Sequence, residues 1–213
     1  MKVNKQSMLL YVVTDRTWLG ENNLIIQIED TIKAGATFVQ LREKNKPFDE
    51  FVYEAAQIKQ VTDRYDIPFV INDNIEVALA VNADGVHVGQ SDMSAMDVRA
   101  LIGDDKIMGV SAVTVEQAVL AEQCGADYIG VGAMFATSTK QDADTVTFGT
   151  LKQICEAVSI PVVAIGGICE ENILQLKGSG IDGVAIISAI FAKPNISKAT
   201  ESMRSLSEKI VEN

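Results

Sequence analysis

The chain of 213 residues carries one histidine, His87, one tryptophan, Trp18, and three cysteines, Cys124, Cys155 and Cys169. A single histidine excludes a histidine pair on a metal, and it excludes any Ser-His-Asp triad not built around His87. The cysteines are odd in number and widely spaced, so neither a zinc ribbon nor a dithiol redox motif can be read. Free thiols fit a reducing compartment. Basic residues are scarce, 18 against 29 acidic ones, for a formal charge of −11. That field repels a phosphate backbone, and no basic stripe offsets it, so nucleic acid is not an expected partner. Long hydrophobic runs are missing too. Met8 to Val13 is too short for the core of a signal peptide, and no stretch approaches the roughly 18 apolar residues of a membrane span. No membrane association and a cytoplasmic location are expected by elimination.

What is present is a soluble globular composition, 47% hydrophobic and 22% charged, over a length that suits one domain, residues 1–213. Short apolar runs at Leu9–Val13, Phe38–Leu41, Pro68–Ile71, Gly85–Val88, Ile107–Val110, Tyr128–Val131, Val162–Ile165 and Gly183–Ile187 predict strands. Stretches of helical period separate them: Ile25–Ala34, Phe48–Arg64, Ile75–Val81, Ala95–Ile102, Val115–Cys124, Phe148–Val158, Glu170–Lys177 and Ile196–Val211. Eight such pairs predict a parallel sheet of βαβ units. An internal echo closes the sheet. Ala-Gly-Ala-Thr-Phe-Val-Gln-Leu from Ala34, Val-Asn-Ala-Asp-Gly-Val-His-Val from Val81, Cys-Gly-Ala-Asp-Tyr-Ile-Gly-Val from Cys124 and Ser-Gly-Ile-Asp-Gly-Val-Ala-Ile from Ser179 each run from a helix stop into a strand and fall on the second, fourth, sixth and eighth strands. A repeat of two βα units suits a (β/α)8 TIM barrel, an α/β fold, better than an open doubly wound sheet. The plainer reading is that αβ turns favour Gly and Asp.

In a barrel, chemistry gathers at the C-terminal strand ends. Gln40, Arg42 and Lys44 alternate along one extended segment and suit a pyrophosphate, although an isolated Arg-x-Lys is also an ordinary solvated pair. Asp73 and Asp92 end the neighbouring third and fourth strands, where two carboxylates beside a phosphate site suit Mg²⁺; as isolated residues they are equally ordinary turn aspartates. Gly166-Gly167 and Ile187-Ser188 end strands seven and eight, a common place for phosphate on backbone N–H groups, or a matter of loop geometry. Two phosphorylated ligands on one mouth point to a condensation. The sixth loop, Ala133 to Thr147, is polar and long enough for a lid carrying Lys140, or for a floppy connection. His87 lies mid-strand among apolar neighbours, inside the barrel or against the helices, and reads as a satisfied core histidine more than as a general base.

At these positions the chain resembles the thiamine-phosphate synthase family over nearly its whole length. The matching pieces are Gln-Leu-Arg-Glu-Lys (40–44), Ile-Asn-Asp (71–73), Gly-Val-His-Val-Gly-Gln-Ser-Asp (85–92), Gly-Val-Ser (109–111), Phe-Ala-Thr-Ser-Thr-Lys (135–140), Ala-Ile-Gly-Gly-Ile (164–168) and Ile-Ser-Ala-Ile (187–190). The resemblance implies a TIM barrel transferase. It would join 4-amino-2-methyl-5-(diphosphooxymethyl)pyrimidine to a thiazole ethyl phosphate, giving thiamine phosphate and pyrophosphate, with CO₂ also lost from the carboxylated thiazole. It implies that Gln40, Leu41, Arg42, Glu43, Lys44, Asn72, Ser111 and Lys140 bind the pyrimidine diphosphate, that Asp73 and Asp92 hold Mg²⁺, and that Thr137, Ser138, Thr139, Gly167, Ile187 and Ser188 bind the thiazole phosphate. The catalytic set would be Arg42, Lys44, Ser111 and Lys140, stabilising a pyrophosphate that departs before the thiazole nitrogen attacks. Partners would be small phosphorylated substrates; a homo-oligomer is compatible with a barrel's outer face.

Two positions depart from the family pattern, Asn74 for a frequent arginine and Ala133 for a frequent proline. The family's thiazole tautomerase branch is the nearest rival. That branch relies on a histidine after the serine of strand five, where this chain has Ala112 and Val113. A catalytically silent ligand-binding barrel is the other alternative, disfavoured by the intact Asp73, Asp92, Arg42, Lys44 and Lys140.

Overall fold

Eight short apolar runs form eight parallel strands that close on themselves in the computed structural model, which describes residues 3–19, 23–90, 94–136 and 145–211. The strands are β1 (Leu10–Val13), β2 (Phe38–Leu41), β3 (Phe69–Asn72), β4 (Gly85–Val88), β5 (Ile107–Ala112), β6 (Tyr128–Val131), β7 (Val162–Ile165) and β8 (Gly183–Ile186). They hydrogen-bond in sequence order, with β8 returning to β1 through Leu10 opposite Val184. This is the expected (β/α)8 barrel.

The helices are α1 (Leu24–Lys33), α2 (Phe48–Arg64), α3 (Ile75–Ala80), α4 (Ala95–Ile102), α5 (Val115–Gln123), α6 (Phe148–Ala157), α7 (Ser188–Phe191) and α8 (Ile196–Val211). Several start on a side-chain cap: Asn23, Ser94, Thr114 and Thr147 each accept a first-turn amide, which satisfies a donor the helix itself cannot. Asn74 does the same for α3, accepting from the Val77 amide at 2.9 Å, so that departure from the family pattern has a local structural role. On α1, Leu24, Ile28 and Ile32 are buried at a spacing of four; on α2, Phe51, Ala55, Ile58 and Thr62. Each stripe meets the outward residues of the strands in one continuous layer, which includes Leu10, Val12, Val39, Leu41, Ile129 and Val131.

The two-unit repeat has a physical cause. Its fourth residue, just before an even-numbered strand, reaches back to the first or second residue of the preceding strand. Thr37 Oγ1 accepts from the Leu10 amide at 2.9 Å, Asp84 from Phe69 at 2.8 Å, Asp127 from Met108 at 2.8 Å and Asp182 from Val162 at 3.0 Å. Each odd strand thus begins on a side-chain acceptor supplied by its even neighbour. Cations back the three aspartates: Lys59 on Asp84 at 3.5 Å, Arg99 on Asp127 at 2.7 Å and Lys5 on Asp182 at 2.9 Å. This lower face is structural.

Two elements differ from expectation. The helix expected over 170–177 is a single 3-10 turn, Ile173–Leu176. Asn172 explains the shortening: its side chain accepts from the Cys169 amide and donates to the Gly167 carbonyl, each at 2.8 Å, which holds 167–172 as a loop. Gly178 at φ 83° then ends the segment. The second difference is α7, whose Ser188–Phe191 follows β8 directly and reads in sequence as more of the same apolar run.

Candidate active site

Alternation along the strands sends one set of side chains to the barrel axis. These include Tyr11, Val13, Phe38, Val70, Ile107, Tyr128, Val163 and Ala185, a separate inner cluster. Tyr11, Phe38 and Tyr128 form its aromatic centre, with ring centroids 4.6 to 5.8 Å apart and tilted or edge-on geometry, contacts worth about 0.5–1.5 kcal/mol each beyond area burial. Above this plug the strand ends turn polar.

The first edge of the mouth is built by β1 and β2. Thr14 and Gln40 are buried there, and the Thr14 amide donates to the Gln40 carbonyl at 3.0 Å. Thr14 Oγ1 in turn accepts from the Arg42 amide at 3.0 Å, so the chain leaving β2 is pinned to β1. Arg42 Nη1 lies 3.3 Å from Asp15 Oδ2. Arg42 and Lys44 line one cavity of about 550 Å³ together with Arg16, Lys46 and the carboxylates of Asp15, Glu43 and Glu50. Arg42 and Lys44 share this cavity, but Glu43 between them lines it too and the chain bends at 44–45, so an alternating extended segment does not describe them. Gln40 sits a layer lower, its amide Nε2 donating to the Tyr11 hydroxyl. Leu41 is fully buried in the outer layer against the helices, which leaves only its backbone for the mouth.

A charge network absent from the sequence reading frames this cavity. Arg16 Nη2 donates to Glu54 at 2.6 Å, and Lys46 Nζ donates to the same carboxylate at 2.7 Å. Burial pushes the Glu54 carboxyl up, but these two cations outweigh it and hold it below its usual range. Arg16 Nε donates to Glu43 Oε2 at 2.8 Å. The other oxygen, Oε1, is equally close yet receives no aligned hydrogen bond. Glu43 has a side chain only 4% exposed, and burial dominates there, raising its carboxyl above the ordinary value despite Arg16. Glu43 is therefore tied up in holding Arg16.

On β3, Asn72 Nδ2 donates to Asp73 Oδ2 at 2.6 Å. Asp73 adopts the left-handed conformation, φ 61°, with its amide donating to the His87 carbonyl at 2.8 Å. A non-glycine residue held there costs of order 1–3 kcal/mol and clusters at functional sites. On β4 and β5, Gln90 Nε2 donates to the Ser111 carbonyl at 2.6 Å, and Ser111 Oγ lies 3.0 Å from His87 Nε2. His87 Nδ1 meets the Tyr128 hydroxyl at 2.9 Å. His87 is thus inside the barrel, with both ring nitrogens engaged.

The adjoining edge, at the ends of β7 and β8, is made of main chain. Gly166 and Gly167 have φ 95° and 66°, and a Cβ on Gly167 would lie 2.5 Å from the Ala136 carbonyl oxygen. Only glycine permits this approach of 133–136 to the β7 end, sealed by Met134 N to Ile165 O and Phe135 N to Gly166 O, both 3.0 Å. The Gly132–Ala133 peptide bond is cis. Ile187 and Ser188 open α7; the N-cap Ile187 makes no side-chain cap hydrogen bond, and its carbonyl accepts from the Ile190 and Phe191 amides at 3.2 and 2.9 Å. Asp92, Thr137, Ser138, Thr139 and Lys140 lie outside the described residues, and with them the central part of the expected lid. Among the described residues no helix is long and apolar enough to cross a membrane, and no three His, Cys, Asp or Glu side chains cluster as metal ligands.

A thiamine monophosphate synthase family model matches residues 10–190. A thiamine-phosphate synthase from Alkaliphilus oremlandii is 53% identical over 195 residues, covering 92% of this chain and 93% of the relative. The Clostridium tetani thiamine-phosphate synthase is 52% identical over 194 residues, covering 91% and 93%. Among solved structures, thiamine phosphate pyrophosphorylase from Pyrococcus furiosus superposes with a TM-score of 0.89 at 38% identity, over 97% of this chain and 98% of that one. With a polar mouth set on the same closed barrel, this chain belongs to the thiamine-phosphate synthase family and is a transferase of thiamine biosynthesis.

Proposed function

We propose that the chain transfers the pyrimidine-methyl group of 4-amino-2-methyl-5-(diphosphooxymethyl)pyrimidine to the ring nitrogen of a thiazole ethyl phosphate. The C–O bond to the diphosphate breaks with its electron pair going to pyrophosphate. The thiazole nitrogen lone pair then forms the new C–N bond. The observation that carries this reading is the division of the mouth: side-chain cations Arg42 and Lys44 over one cavity at β1–β2, glycine-opened backbone at Gly167 and Ser188 on the adjoining β7–β8 edge.

In this reading Gln40, Asn72 and Ser111 hold the pyrimidine half, with the backbone of Leu41 and Glu43. Arg42 and Lys44, joined by Lys140, neutralise the charge that grows on the leaving group, preorganised stabilisation of the kind that dominates such chemistry. Gly167, Ile187 and Ser188, with Thr137, Ser138 and Thr139, hold the thiazole phosphate, since an anion suits glycine-opened backbone and helix-start amides. Asp73 is an oxygen donor fixed by Asn72 at the end of β3. Mg²⁺ is ordinarily held by one or two carboxylates with waters and substrate oxygens, so the pair Asp73 and Asp92 fits it without a larger cage. Bound there, it would supply further charge neutralisation on the diphosphate. His87 takes no proton in this scheme. A cytoplasmic location accompanies the proposal, as do small phosphorylated substrates in place of nucleic acid.

The tautomerase reading is weaker here because Ala112 is fully buried and no histidine follows Ser111. One assay separates the readings: pyrophosphate release with each organic substrate alone, and with both, in Mg²⁺. Release only with both supports the transfer. Release from the diphosphate alone at the same rate would sink it.

A further inference from the structure

A hydrogen-bonded chain crosses the barrel interior from the end of β2 to the end of β5. Gln40 Nε2 donates to the Tyr11 hydroxyl. The Tyr11 and Tyr128 hydroxyls are 2.8 Å apart, Tyr128 meets His87 Nδ1 at 2.9 Å, and His87 Nε2 meets Ser111 Oγ at 3.0 Å. The room for it is deliberate. A Cβ on Gly109 would lie 2.1 Å from Tyr128 Cζ, and one on Gly130 would lie 3.2 Å from His87 Cε1. The two tyrosines are fully buried, and burial raises both phenols, so they remain protonated donors.

Each hydroxyl has one proton to give, which makes the chain directional. Tyr11 accepts from Gln40, so its proton goes to Tyr128. Tyr128 then gives its own to His87 Nδ1. A neutral imidazole accepting at Nδ1 carries its proton on Nε2 and donates it to Ser111 Oγ. The serine proton and the Gln40 Oε1 atom are left over at the two ends, outside the chain's own hydrogen bonds. One end of the chain therefore presents an acceptor and the other a donor.

We propose that Tyr11, Tyr128 and His87 are positioning residues that fix Gln40 as acceptor and Ser111 as donor toward the aminopyrimidine half of the diphosphate substrate. The inference rests on the transfer reading above. An aminopyrimidine offers the complement, an exocyclic N–H to give and ring nitrogens that accept. Accepting a hydrogen bond from that amino group also favours release of electron density into the ring as the diphosphate leaves.

Tyr128→Phe and Tyr11→Phe test it, because each keeps the ring and removes one link. Both variants should raise KM for the pyrimidine diphosphate about tenfold, the loss of one well-made hydrogen bond, with KM for the thiazole phosphate and inhibition by inorganic pyrophosphate within about twofold. Equal rises in both KM values, or none in a folded variant, would overturn the proposal. His87 is the only histidine, so ring-nitrogen NMR reads its tautomer without ambiguity. The wild type should show Nε2–H with Nδ1 unprotonated, and Tyr128→Phe should erode that preference. An Nδ1–H wild type, or a spectrum indifferent to Tyr128→Phe, would also overturn it. A wild type that transfers no pyrimidine would end the functional reading, while the spectra still decide the relay.

Discussion

Replacing Arg16 by alanine leaves two carboxylates behind on the rim, and their environments make the outcome unequal. Glu54 keeps Lys46 at 2.7 Å. Glu43 keeps nothing as close: its side chain is 4% exposed, and one of its oxygens already lacks an aligned donor. Removing one partner of a fully buried ion pair costs about 3–5 kcal/mol, whereas an exposed pair contributes at most about 1. Arg16 is itself 41% exposed, so water replaces part of what it supplied, and about 2 kcal/mol is expected. For a chain of this length that corresponds to a fall in Tm of about 4–8 °C. The sign with pH follows from burial. Glu43 already protonates more readily than an ordinary glutamate, and without Arg16 it should do so at still higher pH. Acidification from pH 7 toward 5 should then neutralise it and narrow the gap between variant and wild type. Glu43→Gln introduced into Arg16→Ala should recover more than half the loss at pH 7. Thermal melting followed by circular dichroism at both pH values reads all of this. A Tm within about 1 °C of wild type at neutral pH, or a gap that widens in acid, would refute the reasoning.

Arg42→Ala and Lys140→Ala should each lower turnover by roughly 10²–10³ while changing thiazole-phosphate binding little; wild-type rates of pyrophosphate release would remove both from the leaving-group role. Gly167→Ala should raise KM for the thiazole phosphate and lower Tm, because the added methyl meets the Ala136 and Phe135 carbonyl oxygens at 2.5 and 2.6 Å; a variant indistinguishable from wild type in both would count against the backbone socket. Glu54→Gln addresses acid lability. The Glu54 carboxyl is held below its ordinary 4.5, so its stabilisation is complete above that value and is lost as pH falls through the lowered one. Melting curves of the variant should accordingly be flatter on the acid side, and an unchanged pH profile would show that the Arg16 and Lys46 contacts contribute nothing.

The strands were legible because each is a continuous apolar run between turn residues, and because a parallel barrel buries both faces of every strand. The repeat was legible as a pattern, but its meaning was not: Asp84 and Asp127 cap amides 15 and 19 residues away, a pairing that only the closed sheet reveals. The seventh helix was over-read because Ile173 and Leu176 have helical spacing, while the side chain of Asn172 spends its hydrogen bonds on a loop. Arg42 and Lys44 stand in one cavity, though not through alternation, since Glu43 lines it with them. Their supports, Arg16 on Glu43 and Glu54, join residues 27 and 38 apart in sequence, and no local period encodes such a contact. Likewise alternation placed Tyr11, His87 and Tyr128 at strand positions without saying that they would meet.

Gly109 and Gly130 show what kind of information the barrel axis holds. Neither contributes a side chain; Gly109 leaves room for the phenol of Tyr128 on β6, and Gly130 for the imidazole of His87 on β4. A methyl at 109 and the phenol of Tyr128 claim the same volume, so neither position has a preference that can be stated without the other. The axis is written in pairs. Changes there are tolerated as exchanges of bulk across two strands, and one taken alone is a collision or a void.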